Sequence, residues 1–228
     1  MLHREAVSAE LLDRVTTLQK NSLFNDYYLA GGTALALQTG FRNSIDIDLF
    51  TYKKQDNELL LNFFYNSFKE VRIDNKIPGI LNLTIDGIKT DVCNVRGKII
   101  ETPITDEGVS MFELKDISAM KLSAICGRKR AKDYIDIAYL LSFYFSIEDM
   151  FDLYKKKYDE NDIFIVKKAL LEYNKVNPYE WEKVNILDKK FFVSNVPSII
   201  KSHLEEYNRA HKIGIRKIFP LKIWRKNS

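Results

Sequence analysis

The sequence predicts an α+β protein, with a small mixed sheet flanked by helices in the N-terminal part and a helical C-terminal half. Three observations carry that prediction. Short apolar segments of strand character are interleaved with helical periodicity up to Pro103, and helical periodicity alone follows. Asp86-Gly87 separates two of the strand-like segments, and this dipeptide suits a two-residue hairpin turn because both positions take positive φ. The 228 residues, 46% of them hydrophobic, suffice to bury a core as one large domain or two small ones. We divide the chain into a core, 1–110, and a helical domain, 111–228, that completes a cleft against it.

Taken in order, Ser8 is a candidate N-cap, and Leu11, Leu12, Val15 and Leu18 follow at helical spacing. Residues 27–30 read as a short strand running into Gly31-Gly32. A short helix over 33–38 is stopped by Gly40. Residues 45–50 alternate as a second strand, and 59–68 read as a helix rich in Leu and Phe. Further strands are expected at 71–73, 80–85 and 88–95, and helices at 117–127, 134–145, 148–158, 162–173 and 198–210. The aromatic clusters Phe63-Phe64-Tyr65 and Phe143-Tyr144-Phe145 read as core.

Composition excludes several classes. No apolar run reaches the roughly 18 residues of a membrane helix. The start, Met1-Leu2-His3-Arg4-Glu5, lacks the apolar stretch of a signal peptide. Two cysteines, Cys93 and Cys126, make no disulfide framework, and His3, His203 and His211 are too scattered for a metal site. Cys126 lies near Arg128 and Lys129, which would lower its pKa, but it has no histidine neighbour to make it a nucleophile. A soluble cytoplasmic protein with no membrane partner is the expectation. The net charge of +4 is modest, yet Arg209, Lys212, Arg216, Lys217, Lys222, Arg225 and Lys226 gather at the C-terminus without an acid among them. Ile213, Ile215, Ile218, Phe219 and Trp224 are interleaved. The stretch therefore reads first as a terminal element packed on the body, and second as a phosphate-backbone contact.

The chemistry concentrates in Arg42-Asn43-Ser44-Ile45-Asp46-Ile47-Asp48-Leu49-Phe50. Residues two apart on a strand share a face, so Asp46 and Asp48 project together while Ile45, Ile47 and Leu49 enter the core. Two adjacent carboxylates repel, and a divalent cation relieves the repulsion. Hard oxygen ligands suit Mg²⁺, with Mn²⁺ as the alternative, held together with substrate phosphates. Asp91, on the second strand of the predicted hairpin, is the candidate third carboxylate, brought alongside by an antiparallel neighbour. Asp86 is accounted for by the turn. Gly31-Gly32-Thr33 opens a helix directly after a strand, where glycines admit a phosphate to free N–H groups and to the positive end of the helix. The plain alternative is that Thr33 merely caps that helix.

Gly31-Gly32-Thr33-Ala34-Leu35-Ala36-Leu37, followed by Arg42-x-Ser44-x-Asp46-Ile47-Asp48-Leu49-Phe50, resembles the signature of DNA polymerase β-like nucleotidyltransferases. Within that superfamily it is most similar to the AbiEii/AbiGii toxin family. The resemblance implies a polymerase β-like core, Mg²⁺, and an NTP as substrate. It implies catalytic and metal-binding roles for Asp46 and Asp48, which Asp91, chosen from the hairpin, would join as ligand or base, and nucleotide-binding roles for Gly31, Gly32, Thr33, Arg42 and Ser44.

The helical half carries a second cluster. Lys121 shares a helix face with Ile117, Ala124, Ile125 and Arg128, and a lysine within an apolar stripe needs a partner. A triphosphate would serve, with Arg128 behind it; snorkelling to water is the plain alternative. Asp133 reads as a helix cap. Asp136, surrounded by Ile135, Ile137, Tyr139 and Leu140, reads as a buried carboxylate requiring Lys121 or Arg128 as its partner. The stretch 119–125 with Lys132-Asp133-Tyr134-Ile135-Asp136 also resembles the second block of the AbiEii/AbiGii family, which adds Lys121, Asp133 and Asp136 to the nucleotide-binding set, and Arg128 joins them from the helix face that it shares with Lys121.

The resemblance implies the toxin half of a toxin–antitoxin or phage abortive-infection pair, with a cognate protein antitoxin. Its acceptor would be a tRNA 3′ end or a protein hydroxyl. Two rival readings are an enzyme acting on a small acceptor such as an antibiotic, and a non-catalytic RNA- or protein-binding module. Salt sensitivity separates the first from an RNA enzyme, and the retained repelling carboxylates argue against the second.

Overall fold

The computed structural model describes residues 1–218, with side chains as far as His211. Ser8 accepts a hydrogen bond from the Leu11 amide and starts α1 (Ala9–Lys20), as the sequence predicts, with Leu11, Val15 and Leu18 buried. The short strand β1 (Tyr28–Leu29) leads into α2 (Gly31–Thr39), which Gly40 ends at φ +68°. Then come β2 (Ile47–Thr51) and α3 (Asn57–Ser67), the latter capped by Asp56. The meander β3 (Val71–Ile77), β4 (Ile80–Ile85) and β5 (Ile88–Asn94) turns at Asp86 and Gly87, both at positive φ.

The expectation of helices alone after Pro103 is corrected. A second hairpin follows, β6 (Ile104–Asp106) and β7 (Val109–Met111), with Glu107 and Gly108 at positive φ in its turn. Strands of three residues are too short to establish an alternation. The helical part comprises α4 (Leu114–Gly127), α5 (Ala131–Phe143), α6 (Ile147–Tyr158), α7 (Phe164–Leu170), α8 (Pro178–Glu182) and α9 (Val196–Ile218). The helix expected over 162–173 is α7 continued by a 3₁₀ segment, Leu171–Lys175, and the five-residue α8 is an addition.

The strands form one mixed seven-stranded sheet in the order β3-β4-β5-β2-β1-β7-β6. The pairs β2–β5 and β1–β7 are parallel and the others antiparallel. Gln19 of α1 binds β7 through both amide functions, donating to the Ser110 carbonyl and accepting from its N–H. Residue 110 thus lies within β7. Leu35, Ile47 and Leu83 belong to the same buried cluster as Ile117, Ile135 and Phe151, so sheet and helices share one core. Phe64 is fully buried, but Tyr65, Phe143 and Tyr144 are exposed, which corrects the reading of the aromatic clusters as entirely core. Phe41 stacks on Tyr139, joining α5 to the loop after α2. No described helix is long and apolar enough to cross a membrane. In the basic C-terminal stretch, the side chains from Lys212 onward and residues 219–228 altogether lie outside the described residues.

Candidate active site

On β2 the alternation buries Ile47 and Leu49 and turns Asp48 and Phe50 to the opposite face of the sheet. The strand begins at Ile47, later than expected. Ile45 is therefore not a core residue but 76% exposed, and Asp46 stands just before the strand with its carboxylate bonded to Lys132 (2.7 Å). β5 lies parallel to β2, not antiparallel as the hairpin alone suggested, and its register sets Asp91 directly beside Asp48. Asp91 Oδ1 is buried without a hydrogen-bond partner. Burial and the facing Asp91 push the Asp48 carboxyl up to about 6, against the pull of Lys121 and Lys132.

Both glycines that open α2 are required by neighbouring side chains. Gly31 has φ +66°, and a methyl group there would overlap the Asp48 carboxylate; at Gly32 it would overlap the Arg42 guanidinium. Ala30, which has no side chain able to cap, is the N-cap of α2, so Thr33 is not the cap. Thr33 is buried one turn further on, its hydroxyl in contact with Ser44 Oγ (2.8 Å) and the Asp46 carbonyl. Arg42 and Ser44 are buried as well. Thr33, Arg42 and Ser44 therefore fix the loop that carries Asp46 and Asp48 from behind.

Lys121 is 4% exposed, and its partners are protein carboxylates: Asp136 at 2.6 Å and Asp133 at 3.0 Å. The snorkelling alternative is thereby excluded. Asp136 also receives both arms of Arg42, Nε at 2.6 Å and Nη2 at 2.9 Å. Asp133 is not a cap but a fully buried carboxylate that accepts from Lys121 and Arg128. Burial works against its ionisation, yet Lys121 and Arg128 together hold it far below the usual carboxylate range. Burial likewise works against charge on Lys121, but Asp136 and Asp133 outweigh it and raise its pKa. Three cations, Arg42, Lys121 and Arg128, against two acids leave one positive charge beside the cleft.

A cleft of about 630 Å³ lies between this face of the sheet and α4. Of the predicted residues it brings together Gly31, Asp48, Asp91, Lys121 and Arg128. Gly32, Thr33, Arg42, Ser44, Asp46, Asp133 and Asp136 do not line it. Among the described residues no three Asp, Glu, His or Cys side chains converge as a ready-made metal cage. Asp48 and Asp91, facing in register with one oxygen unpartnered, nevertheless fit a hard divalent cation, and Mg²⁺ binds through one or two carboxylates with phosphates and water completing the sphere.

Cys126 is not activated. Burial raises its thiol pKa, outweighing Lys129, and Sγ bonds back to the Leu122 carbonyl. Sequence reasoning assigned no role to Lys132, which holds Asp46, or to Asn75, Asn82, Arg96 and Tyr158 of the cleft. The alternation of Ile80, Asn82 and Thr84 with buried Leu81, Leu83 and Ile85 was the available signal for Asn82.

The chain is similar in sequence and in fold to other proteins. The family described as nucleotidyl transferase AbiEii toxin, type IV TA system, matches residues 15–195. An uncharacterized protein of Aquifex aeolicus (strain VF5) is 31% identical over 205 residues, 85% of this chain and 96% of that one. Among solved structures, the fold is similar to MenT4, the nucleotidyltransferase toxin Rv2826c from Mycobacterium tuberculosis H37Rv. There the TM-score is 0.57 at 13% identity, over 83% of this chain and 78% of that one. It is also similar to JHP933 from Helicobacter pylori, with a TM-score of 0.53 at 16% identity over 92% and 99% of the two chains. With the family match spanning most of its length, the chain belongs to the AbiEii family of type IV toxin–antitoxin nucleotidyltransferases, and it is a nucleotidyltransferase.

Proposed function

We propose that the enzyme transfers a nucleoside monophosphate from an NTP to a hydroxyl of a macromolecular acceptor, a tRNA 3′ end or a protein side chain. It would act in the cytoplasm as a toxin restrained by a cognate protein antitoxin. The observation that carries this reading is the Asp48–Asp91 pair, facing in register in a cleft whose other wall bears Lys121 and Arg128. Asp48 and Asp91 would hold Mg²⁺, with Asp46 as third ligand on release from Lys132. When bound, the ion neutralises developing negative charge on the phosphates.

The protein's own groups do the rest. The uncapped N-terminus of α2 and the surplus positive charge of the Arg42–Lys121–Arg128 network attract the triphosphate. The unpartnered Oδ1 of Asp91 takes the proton of the acceptor hydroxyl. That oxygen forms the new bond to the α-phosphorus, the bond to the leaving group breaks, and pyrophosphate departs. Thr33, Ser44, Asp133 and Asp136 support the geometry, so that catalysis is chiefly positioning and charge neutralisation.

The test is incubation of the purified protein with each α-³²P-labelled NTP, Mg²⁺ and total bacterial RNA or protein, beside Asp48→Asn. Label in a macromolecule with wild type, reduced by about a thousandfold or more in the variant, supports the reading. Transfer to a small molecule alone, or none with any nucleotide, overturns it.

A further inference from the structure

The carboxylate pair is the inner part of a longer row. In register across four strands stand Asp48 on β2, Asp91 on β5, Asn82 on β4 and Asn75 on β3. All four line the same cleft. Asn75 reaches this row through an irregularity: the β3–β4 register shifts between Ile73 and Asn75, which leaves Asp74 as the extra residue. Such bulges re-aim side chains next to active sites. Asn75 Nδ2 then donates to Asn82 Oδ1 (3.1 Å), which leaves the Asn82 amide N–H₂ directed to no other described residue. β3 is the edge of the sheet and largely exposed, so the row runs from half-buried carboxylates to an open edge.

The two ends of the row differ in charge. Asp48 adjoins the α2 N-terminus, and Lys121 and Arg128 line the cleft with it. Asn82 and Asn75 are neutral. Among the described residues, the cation paired with Asp91 is Lys89, 3.6 Å from its Oδ2. A triphosphate belongs at the cationic end, and the neutral amide end is left for the acceptor.

We infer that Asn82, braced by Asn75, is the acceptor-binding residue, and that it recognises the vicinal diol of a terminal ribose. This rests on the nucleotidyl-transfer reading above. Side chains in register on neighbouring strands stand about 5 Å apart at Cβ, so adjacent hydroxyls can engage Asp91 and Asn82 at once. One hydroxyl gives its proton to Asp91 Oδ1 and attacks the α-phosphorus, releasing pyrophosphate; the other accepts from Asn82 Nδ2. A serine or threonine acceptor presents a single hydroxyl and leaves the Asn82 amide unmatched.

The experiment uses the full chain and the RNA that labelling identifies, prepared with ribose or 2′-deoxyribose at its 3′ end. In wild type, removing the 2′-hydroxyl should lower kcat/KM for the acceptor about tenfold, and Asn82→Ala should do the same to the ribose acceptor. The losses should not add: in Asn82→Ala the two acceptors should differ by less than about twofold. KM for the NTP should stay unchanged, and Asn75→Ala should give a smaller loss of the same pattern. Should Asn82→Ala fail to fold, Asn75→Ala with the paired acceptors carries the same comparison. Additive losses, or indifference to the 2′-hydroxyl, overturn the inference. Label entering only protein overturns it too but leaves nucleotidyl transfer standing, whereas no label from wild type removes the reading beneath it.

Discussion

Arg42 grips Asp136 with two nitrogens across 94 residues of sequence, and both side chains are almost wholly buried. The pair ties the loop carrying Asp46 and Asp48 to α5, and through Asp136 to Lys121 of α4. Removing Arg42 leaves Asp136 Oδ1 buried without its donor, while Lys121 stays on the other oxygen. Arg42→Ala should therefore cost about 3–5 kcal/mol of folding stability. Arg42→Lys should recover only part of it, because an ammonium cannot reproduce the two-pronged contact. Urea denaturation of the three proteins measures this, and equal stability of wild type and Arg42→Ala would remove the network from the account.

Gly31 offers a sharper probe of the cleft. Its left-handed φ and the Asp48 carboxylate against it leave no room for a methyl group, so Gly31→Ala should displace Asp48. Transfer should drop about a hundredfold with loss in kcat more than in the KM for NTP, since a small misplacement of reacting groups is costly. Steady-state kinetics would show it. Unchanged kcat would mean that the position of Asp48 is not critical.

Acid stability should report on Asp133. Its folded pKa lies below the ordinary value of 3.8, so the native state binds fewer protons there than the unfolded chain. Its contribution is complete above that ordinary value and is lost as pH falls towards the folded pKa. Asp133→Asn should be less stable than wild type at neutral pH, and the gap should narrow as the solution is acidified below about pH 4. Thermal melts from pH 7 down to pH 3 supply the curve, and a constant gap would contradict the assignment.

A separate buried pair holds the segment between β5 and β6. Lys157 of α6 bonds Asp116 of α4 at 2.5 Å, with the Tyr52 hydroxyl and the Lys98 carbonyl as its other partners. Asp116 in turn accepts from the amides of Ile100 and Glu101. Lys157→Ala should destabilise the fold by about 3–5 kcal/mol. It should also speed amide exchange at Lys98, Ile100 and Glu101 before the strands of the sheet are affected. Exchange rates that rise uniformly along the chain would argue against a local clamp.

Much of this was written locally. Ser8, Gly40 and the Asp86-Gly87 turn act within a few residues of themselves, so the helix start, helix stop and hairpin were legible. The alternation of Ile47, Asp48 and Leu49 likewise determined which side of β2 is acidic, and burial among apolar neighbours marked Asp136 as needing a cation. Other features depend on contacts that local pattern does not encode. Whether β5 runs parallel to β2, whether Lys121 meets phosphates or carboxylates, and whether Asp46 is free or held by Lys132 are set by elements packed from elsewhere in the chain. Asp116 is half of a buried ion pair that its sequence neighbours do not announce, because its partner arrives 41 residues later on α6. Short-range backbone preferences determined the elements and the chemical types at the site. The pairing of charges, which needs side chains within about 3 Å of one another, was decided by the tertiary structure.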